Sequence, residues 1–206
     1  MKKSIKLNLF ISQVLFLALL PIWMKLTQYL HPLVIGVVWF CLTSSILLVG
    51  LWVTKEKIAI SKRILDFVIF CYSIGLLILL FFRPENQYYG SINLVPFKTV
   101  MFYLEGRVDL LIAIYNLGAN IGLFIPFGVY YCYIKVSPRV GQLLTISFFT
   151  IAMIEGIQFI TKRGSLDIDD LILNVLGVLI GYLVYPVLKK VLVLKRKNFG
   201  SNLKNK

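Results

Sequence analysis

Acidic residues are scarce in this chain of 206 residues, with nine Asp and Glu against 22 Lys and Arg, and there is a single histidine. That histidine, His31, precedes Pro32 and lies far in sequence from every cluster of acids. With no GxSxG elbow either, a serine hydrolase built on a Ser-His-acid set is disfavoured. Cysteine is also sparse. Cys41, Cys71 and Cys132 are odd in number, form no CxxC and sit inside apolar blocks. They read as buried thiols acting as small hydrophobes, with no disulfide framework and no zinc site. No internal repeat and no low-complexity tract is visible. The lack of an inverted repeat, or of paired broken helices in matching halves, argues against a secondary transporter.

What fills the chain is apolar. Hydrophobic residues make up 59% and the mean hydropathy is +0.85. They come in long blocks, not in short amphipathic faces, which is the pattern of a polytopic membrane protein. The expected fold is all-α, an integral membrane helical bundle of about six transmembrane helices. The spans are read at 7–27, 33–53, 64–82, 111–134, 141–160 and 170–193. Residues 1–63 form an N-terminal two-helix segment, 64–194 the main membrane domain and 195–206 a basic tail. The first block is too long for the apolar region of a signal peptide and no small-x-small site follows it, so it reads as an uncleaved anchor. Between spans three and four, "SINLVPFKTVMFYLEG" is aromatic and apolar yet too short to cross. It is expected to be interfacial or re-entrant, with an extended entry at Pro96 and a short helix after it.

The net charge of +13 raises nucleic-acid binding, but the basic residues cluster between apolar blocks without aromatic interleaving, so no nucleic acid is expected. They follow the positive-inside rule instead. Only six of the 22, namely Lys25, Arg83, Lys98, Arg107, Lys162 and Arg163, fall on one side of the expected topology; the other sixteen fall on the opposite side. Both termini are therefore expected in the cytoplasm of a multi-pass cell-membrane protein. Glu85, Glu105, Asp109, Asp167, Asp169 and Asp170 all fall outside, and Glu155 lies near the outer end of span five.

Several polar residues lie within the apolar blocks. Asn116 and Asn120 are four apart on one face of span four, beside a Gly118/Gly122 pair that invites close helix approach. Pro126 is expected to kink or loosen that span. Glu155 and Gln158 share a face of span five. A carboxylate in a bilayer persists when paired, protonated or facing water. Glu155 thus reads either as the partner of Arg163, fixing the following turn, or as an acid or base lining an outward-facing cavity. Asp167, Asp169 and Asp170 open span six. Asp167 as N-cap with Asp170 three residues on resembles a capping box, which accounts for one or two carboxylates and not for three. The DxDD run is a weak divalent-cation signal, and neither a metal nor any other cofactor is assigned. Asp170 and Asn174 are four apart, and Gly177 and Gly181 extend the same helix as a second small-residue pair. Polar and small residues of span six are expected to face one bundle interior.

The segments "INLVPF", "NLGANIGLFIPFG" and "EGIQFITKRGSLDIDDLILNVLGVLIGYLV" resemble the VanZ-like family over roughly residues 80–185. The family's name comes from a protein linked to teicoplanin resistance in Gram-positive bacteria. The matching positions are Asn93, Pro96, Phe97, Asn116, Asn120, Phe124, Pro126, Gly128, Glu155, Gln158, Arg163, Asp167, Asp170, Asn174 and Gly177. The resemblance implies a role in the cell envelope and in glycopeptide susceptibility. Two readings of function stay open. In the first, an extracytoplasmic site takes an envelope lipid or a lipid-linked cell-wall precursor. Glu155 and Asp170 would be its catalytic candidates. Arg83, Asn93, Asn116, Asn120, Gln158, Arg163, Asp167 and Asn174 would be its binding candidates. In the second, the protein is a non-catalytic factor that binds a partner protein or a glycopeptide, and the polar cluster is structural. Membrane lipids are expected partners in both.

Overall fold

The computed structural model describes residues 3–27, 33–81, 91–106 and 108–195. In chain order these form α1 (Lys3–Ala18), α2 (Leu20–Thr27), α3 (Leu33–Val53), β1 (Ile58–Ser61) and α4 (Lys62–Phe81), then β2 (Ile92–Asn93), α5 (Lys98–Leu104), α6 (Leu110–Ile134) and α7 (Val140–Ile160), and finally β3 (Leu166–Asp167), α8 (Ile168–Val191) and β4 (Leu192–Lys195). The chain is an all-α membrane-type bundle. Five helices, α3, α4, α6, α7 and α8, are each long and apolar enough to cross a bilayer. The 21 residues of α3 rise about 31 Å, the thickness of the hydrocarbon layer.

The first expected span, 7–27, is divided. α1 and α2 part at Leu19, two residues before Pro21. Proline has no N–H and its ring crowds the preceding turn, so the helix is interrupted there. The Ile22 and Trp23 amides both donate to the Leu19 carbonyl at 3.0 Å, and the break stays local. α1 runs antiparallel to α3. Ser4 Oγ donates to the Glu56 carboxylate just beyond α3, Asn8 presses on Gly50, and Trp39 Nε1 donates to Gln13 Oε1 at 2.7 Å.

α4, α6, α7 and α8 share a core of Leu76, Leu80, Phe124, Tyr131, Cys132, Leu143, Ile151, Leu171 and Val178. Outside it the usual hydrophobic order is inverted. Phe67, Phe70, Phe149, Met153 and Ile160 are exposed, as on a surface solvated by lipid. Cys71 is exposed on α4, contrary to its expected burial; Cys41 is half-buried and Cys132 buried. The thiol lies on an outward face of a helix that is apolar all round, where periodicity cannot say which side packs.

The tightest seam joins α6 to α8. A Cβ on Gly177 would collide with the Ile121 carbonyl, one on Gly181 with the Ile125 carbonyl, and one on Gly128 with the Val178 carbonyl. Successive turns of one helix meet successive turns of the other, so the two run parallel. The glycines of α8 behave as expected from the sequence. Those of α6 do not, because a Cβ at Gly118 or Gly122 meets no atom within 4 Å, and Gly128 makes the approach instead. Pro126 lies inside α6 and cannot bond the Gly122 carbonyl; the Tyr72 hydroxyl of α4 donates to the neighbouring Leu123 carbonyl at 2.8 Å.

Two small parallel pairings mark the ends of the bundle. β1 pairs with β4, Ile58 opposite Leu192 through Ser61 opposite Lys195. β2 pairs with β3, Ile92 opposite Leu166 and Asn93 opposite Asp167. The loop after α3 thus shares an end with the segment after α8, and the loop after α4 shares the other end with the α7–α8 turn.

Candidate functional site at the polar end of the bundle

The α7–α8 turn is closed by its own backbone. The Arg163 N–H donates to the Gln158 carbonyl at 2.8 Å and the Lys162 N–H to the Phe159 carbonyl at 3.1 Å, with Lys162 at φ 56°. This is a Schellman closure with lysine where glycine is usual. The turn leads through β3 into Asp167, the N-cap of α8. One Asp167 oxygen accepts from the Asp169 N–H at 2.9 Å and from Asn93 Nδ2 at 3.0 Å; the other accepts from Thr99 Oγ1 at 2.6 Å. Asn93 Nδ2 also reaches Thr99 Oγ1 at 3.1 Å.

Asp169 is 1% exposed and carries a second cap. Its carboxylate accepts the backbone N–H groups of Phe97, Thr99 (2.7 Å) and Val100 (3.2 Å). These amides begin α5, where intrahelical acceptors are missing and the partial charge is positive. Phe97 is the N-cap of α5 at φ 65°, a left-handed conformation that costs a bulky residue about 1–2 kcal/mol. Charge-assisted bonds of about 1.5–3 kcal/mol each exceed that cost. The result is a short helix held across the end of the bundle, with Ile92, Leu94, Val95, Phe97, Met101, Phe102 and Leu104 exposed. The region read as interfacial or re-entrant does carry a short helix after Pro96.

Below this lid-like segment, Asn120 Nδ2 of α6 donates to Asp170 Oδ1 of α8 at 2.6 Å. Asn116, one turn towards the start of α6, donates to the Tyr103 hydroxyl of α5 at 3.1 Å. Asn174 follows Asp170 by one turn, is 4% exposed, and its Oδ1 has no hydrogen-bond partner among the described residues. From α7, Gln158 is buried and donates to the Leu80 carbonyl at 2.9 Å, an acceptor left open at the end of α4. Glu155 is buried on the same stripe of α7 as Leu143, Ser147 and Ile151. Arg163 is half-buried in the turn.

Residues 67–189, more than half of the chain, match the family model described as VanZ/LLP1. The chain belongs to the VanZ/LLP1 family. Comparison with curated proteins and with solved structures found no match.

The polar end just described lies wholly inside the VanZ/LLP1 segment. Of the residues singled out from sequence, Asn93 meets Asp167, Asn120 meets Asp170, Asn116 meets α5, and Gln158 meets the end of α4. Arg83 lies outside the described residues. The capping box is corrected: Asp167 is the N-cap, but it takes the Asp169 amide, and Asp170 turns to Asn120 on the neighbouring helix. The Asn120 amide, a donor from the neighbouring helix, stands where a capping box would use the backbone N–H of the N-cap. Asp169, Thr99 and Tyr103 were missed as functional positions. The signal for Asp169 was the surplus itself, since capping α8 needs one carboxylate and three are present. Among the described residues, no three His, Cys, Asp or Glu side chains are grouped to hold a metal ion.

Proposed function

We propose that this VanZ/LLP1 protein binds an anionic envelope amphiphile, or a lipid-linked cell-wall precursor, at the polar end of its bundle. One observation carries the reading. Glu155, Gln158, Asp169 and Asn174 are all buried towards one end of the bundle, the end that carries a short helix whose apolar side chains are exposed. Polar groups at membrane depth are expensive and gather at pathways and sites. In this reading Arg163, with Arg83, holds the anionic group. Glu155 and Asp170 handle protons, and α5 is the doorway through which the lipid enters. The excess of Lys and Arg at the opposite end supports a cytoplasmic location for both termini, with the site on the outer side. An influence on glycopeptide (teicoplanin) susceptibility, as an antibiotic-resistance trait of Gram-positive envelopes, follows from altered access to such precursors.

The test is a pair of variants, Glu155→Gln and Arg163→Gln, scored for teicoplanin tolerance and for protein level in the membrane. Loss of the tolerance effect at normal protein level supports the site. Unchanged tolerance in both variants removes it.

A second reading has its own support. Asp167, Asp169 and Asn93 are bonded into the fold, as expected of a structural cluster in a non-catalytic factor that binds a partner protein or glycopeptide. That reading predicts that the same two variants lower protein level and tolerance together.

A further inference from the structure

The end of the bundle that carries β1 and β4 is crowded with cations. The two strands pair in parallel, Ile58 opposite Leu192 through Ser61 opposite Lys195. Lys57 directly precedes β1, and Lys62 and Arg63 directly follow it. Lys189 and Lys190 stand in the last turn of α8, and Lys195 closes β4. All of these cations are exposed. The described acids of this end are bonded to hydroxyls: Asp66 accepts from Tyr130 at 3.0 Å, and Glu56 accepts from Ser4 Oγ.

A ladder of this size is a poor place for like charges. Two strands of four residues are marginal by themselves in water. Cations on both strands repel one another and oppose the pairing. An anion shared between them removes the repulsion and adds charge-assisted hydrogen bonds.

The tyrosines give the depth. Tyr130, Tyr131 and Tyr133 lie in the last turns of α6, and Tyr182 and Tyr185 in the second half of α8. The Tyr133 hydroxyl donates to the Leu192 carbonyl of β4 at 2.8 Å, and its ring meets Tyr185 edge-on at 4.9 Å. The Tyr182 hydroxyl donates to the Pro138 carbonyl at 3.4 Å, which ties the α6–α7 loop, with its exposed Lys135 and Arg139, to the same surface. Tyrosine gathers where hydrocarbon gives way to head groups. Lys135 is two residues past Tyr133, and Lys189 four past Tyr185. The cations are therefore level with lipid phosphates, which favours a lipid over a soluble acidic partner as their counterpart.

We propose that β1, β4 and the cations around them form a surface for the phosphate groups of anionic lipids, and that these lipids fasten the ladder. The proposal is independent of the polar end and of which leaflet this end occupies.

The full chain is placed in nanodiscs of phosphatidylcholine alone, or of phosphatidylcholine mixed with phosphatidylglycerol, and backbone hydrogen exchange is followed. Exchange over 58–61 and 192–195 is expected to slow about tenfold with phosphatidylglycerol, the scale of one or two cations near an anionic surface. Exchange in the middle of α7 stays the same, and high salt removes the difference. Combining Lys62→Gln, Arg63→Gln and Lys195→Gln abolishes the lipid dependence. Lys62→Arg with Lys195→Arg keeps it, as does Lys98→Gln with Lys162→Gln at the other end. Where the triple variant fails to insert, the two discs and the salt series decide on the unaltered chain. Equal exchange in the two discs overturns the proposal and leaves the cations to a soluble acidic partner. Slowing that survives the triple substitution overturns it too. So does equal slowing by inorganic phosphate in phosphatidylcholine discs, which would make the counterpart a free anion.

Discussion

The Asp169 carboxylate accepts the backbone N–H of Phe97, a residue 72 positions earlier held at φ 65°. One side chain at the start of α8 thus sets the start of α5. Replacing Asp169 by Ala strands three amides of α5 that now have an anionic acceptor. The expected loss is about 3 kcal/mol or more, read as a lower Tm in detergent. Trypsin cleavage at Lys98 should accelerate by a larger factor than global unfolding accounts for. Asp169→Asn, which keeps one acceptor oxygen, should fall between the two.

The glycines of the α6–α8 seam separate by contact. Gly181→Ala drives a methyl into the Ile125 carbonyl and should cost about 2 kcal/mol or more. Gly118→Ala meets open space and should be neutral or gain up to about 1 kcal/mol from helix propensity. Thermal unfolding of the two variants in one detergent decides this, and equal destabilisation would contradict the packing described.

Asn120 and Asp170 should be energetically coupled. Asn120→Ala, Asp170→Ala and the double variant form a cycle whose interaction energy is expected near 1 kcal/mol, the usual scale for a hydrogen bond between membrane helices. Additive effects would mean that the 2.6 Å contact contributes nothing.

Sidedness is open to direct labelling. In a background with Cys41, Cys71 and Cys132 replaced by Ala, single cysteines at Lys98 and Lys162 should react with an impermeant maleimide added to intact cells. Those at Lys57 and Lys135 should react only after permeabilisation. The reverse pattern would invert the orientation and move the polar end to the cytoplasm.

Sequence patterns reach some of these features and stop short of others for physical reasons. Helices α3, α4, α6, α7 and α8 are legible because about 20 apolar residues leave few other structures. Asp167 as N-cap is legible because the signal is local. The clamp from Asp169 to α5 is not, since a carboxylate bonded to backbone amides 70 residues away leaves no spacing to read. Gly118 and Gly122 look as good as Gly177 and Gly181 on paper. A helix that is apolar all round does not reveal which stripe meets a neighbour and which meets lipid. Pro21 inside an apolar run signals disturbance, but whether the helix bends or divides depends on how it rests against α3.

The pairing of β1 with β4 bears on how the protein can be cut. Both strands lie just beyond the matched segment 67–189, one before it and one after. A fragment trimmed inside both loses the ladder as a unit and exposes no orphan edge. A fragment trimmed between them, at residue 62 or at residue 191, keeps one strand with its N–H and C=O row unanswered, ready to recruit a second molecule. Minimal versions of this domain should therefore keep both ends of that fastening or neither.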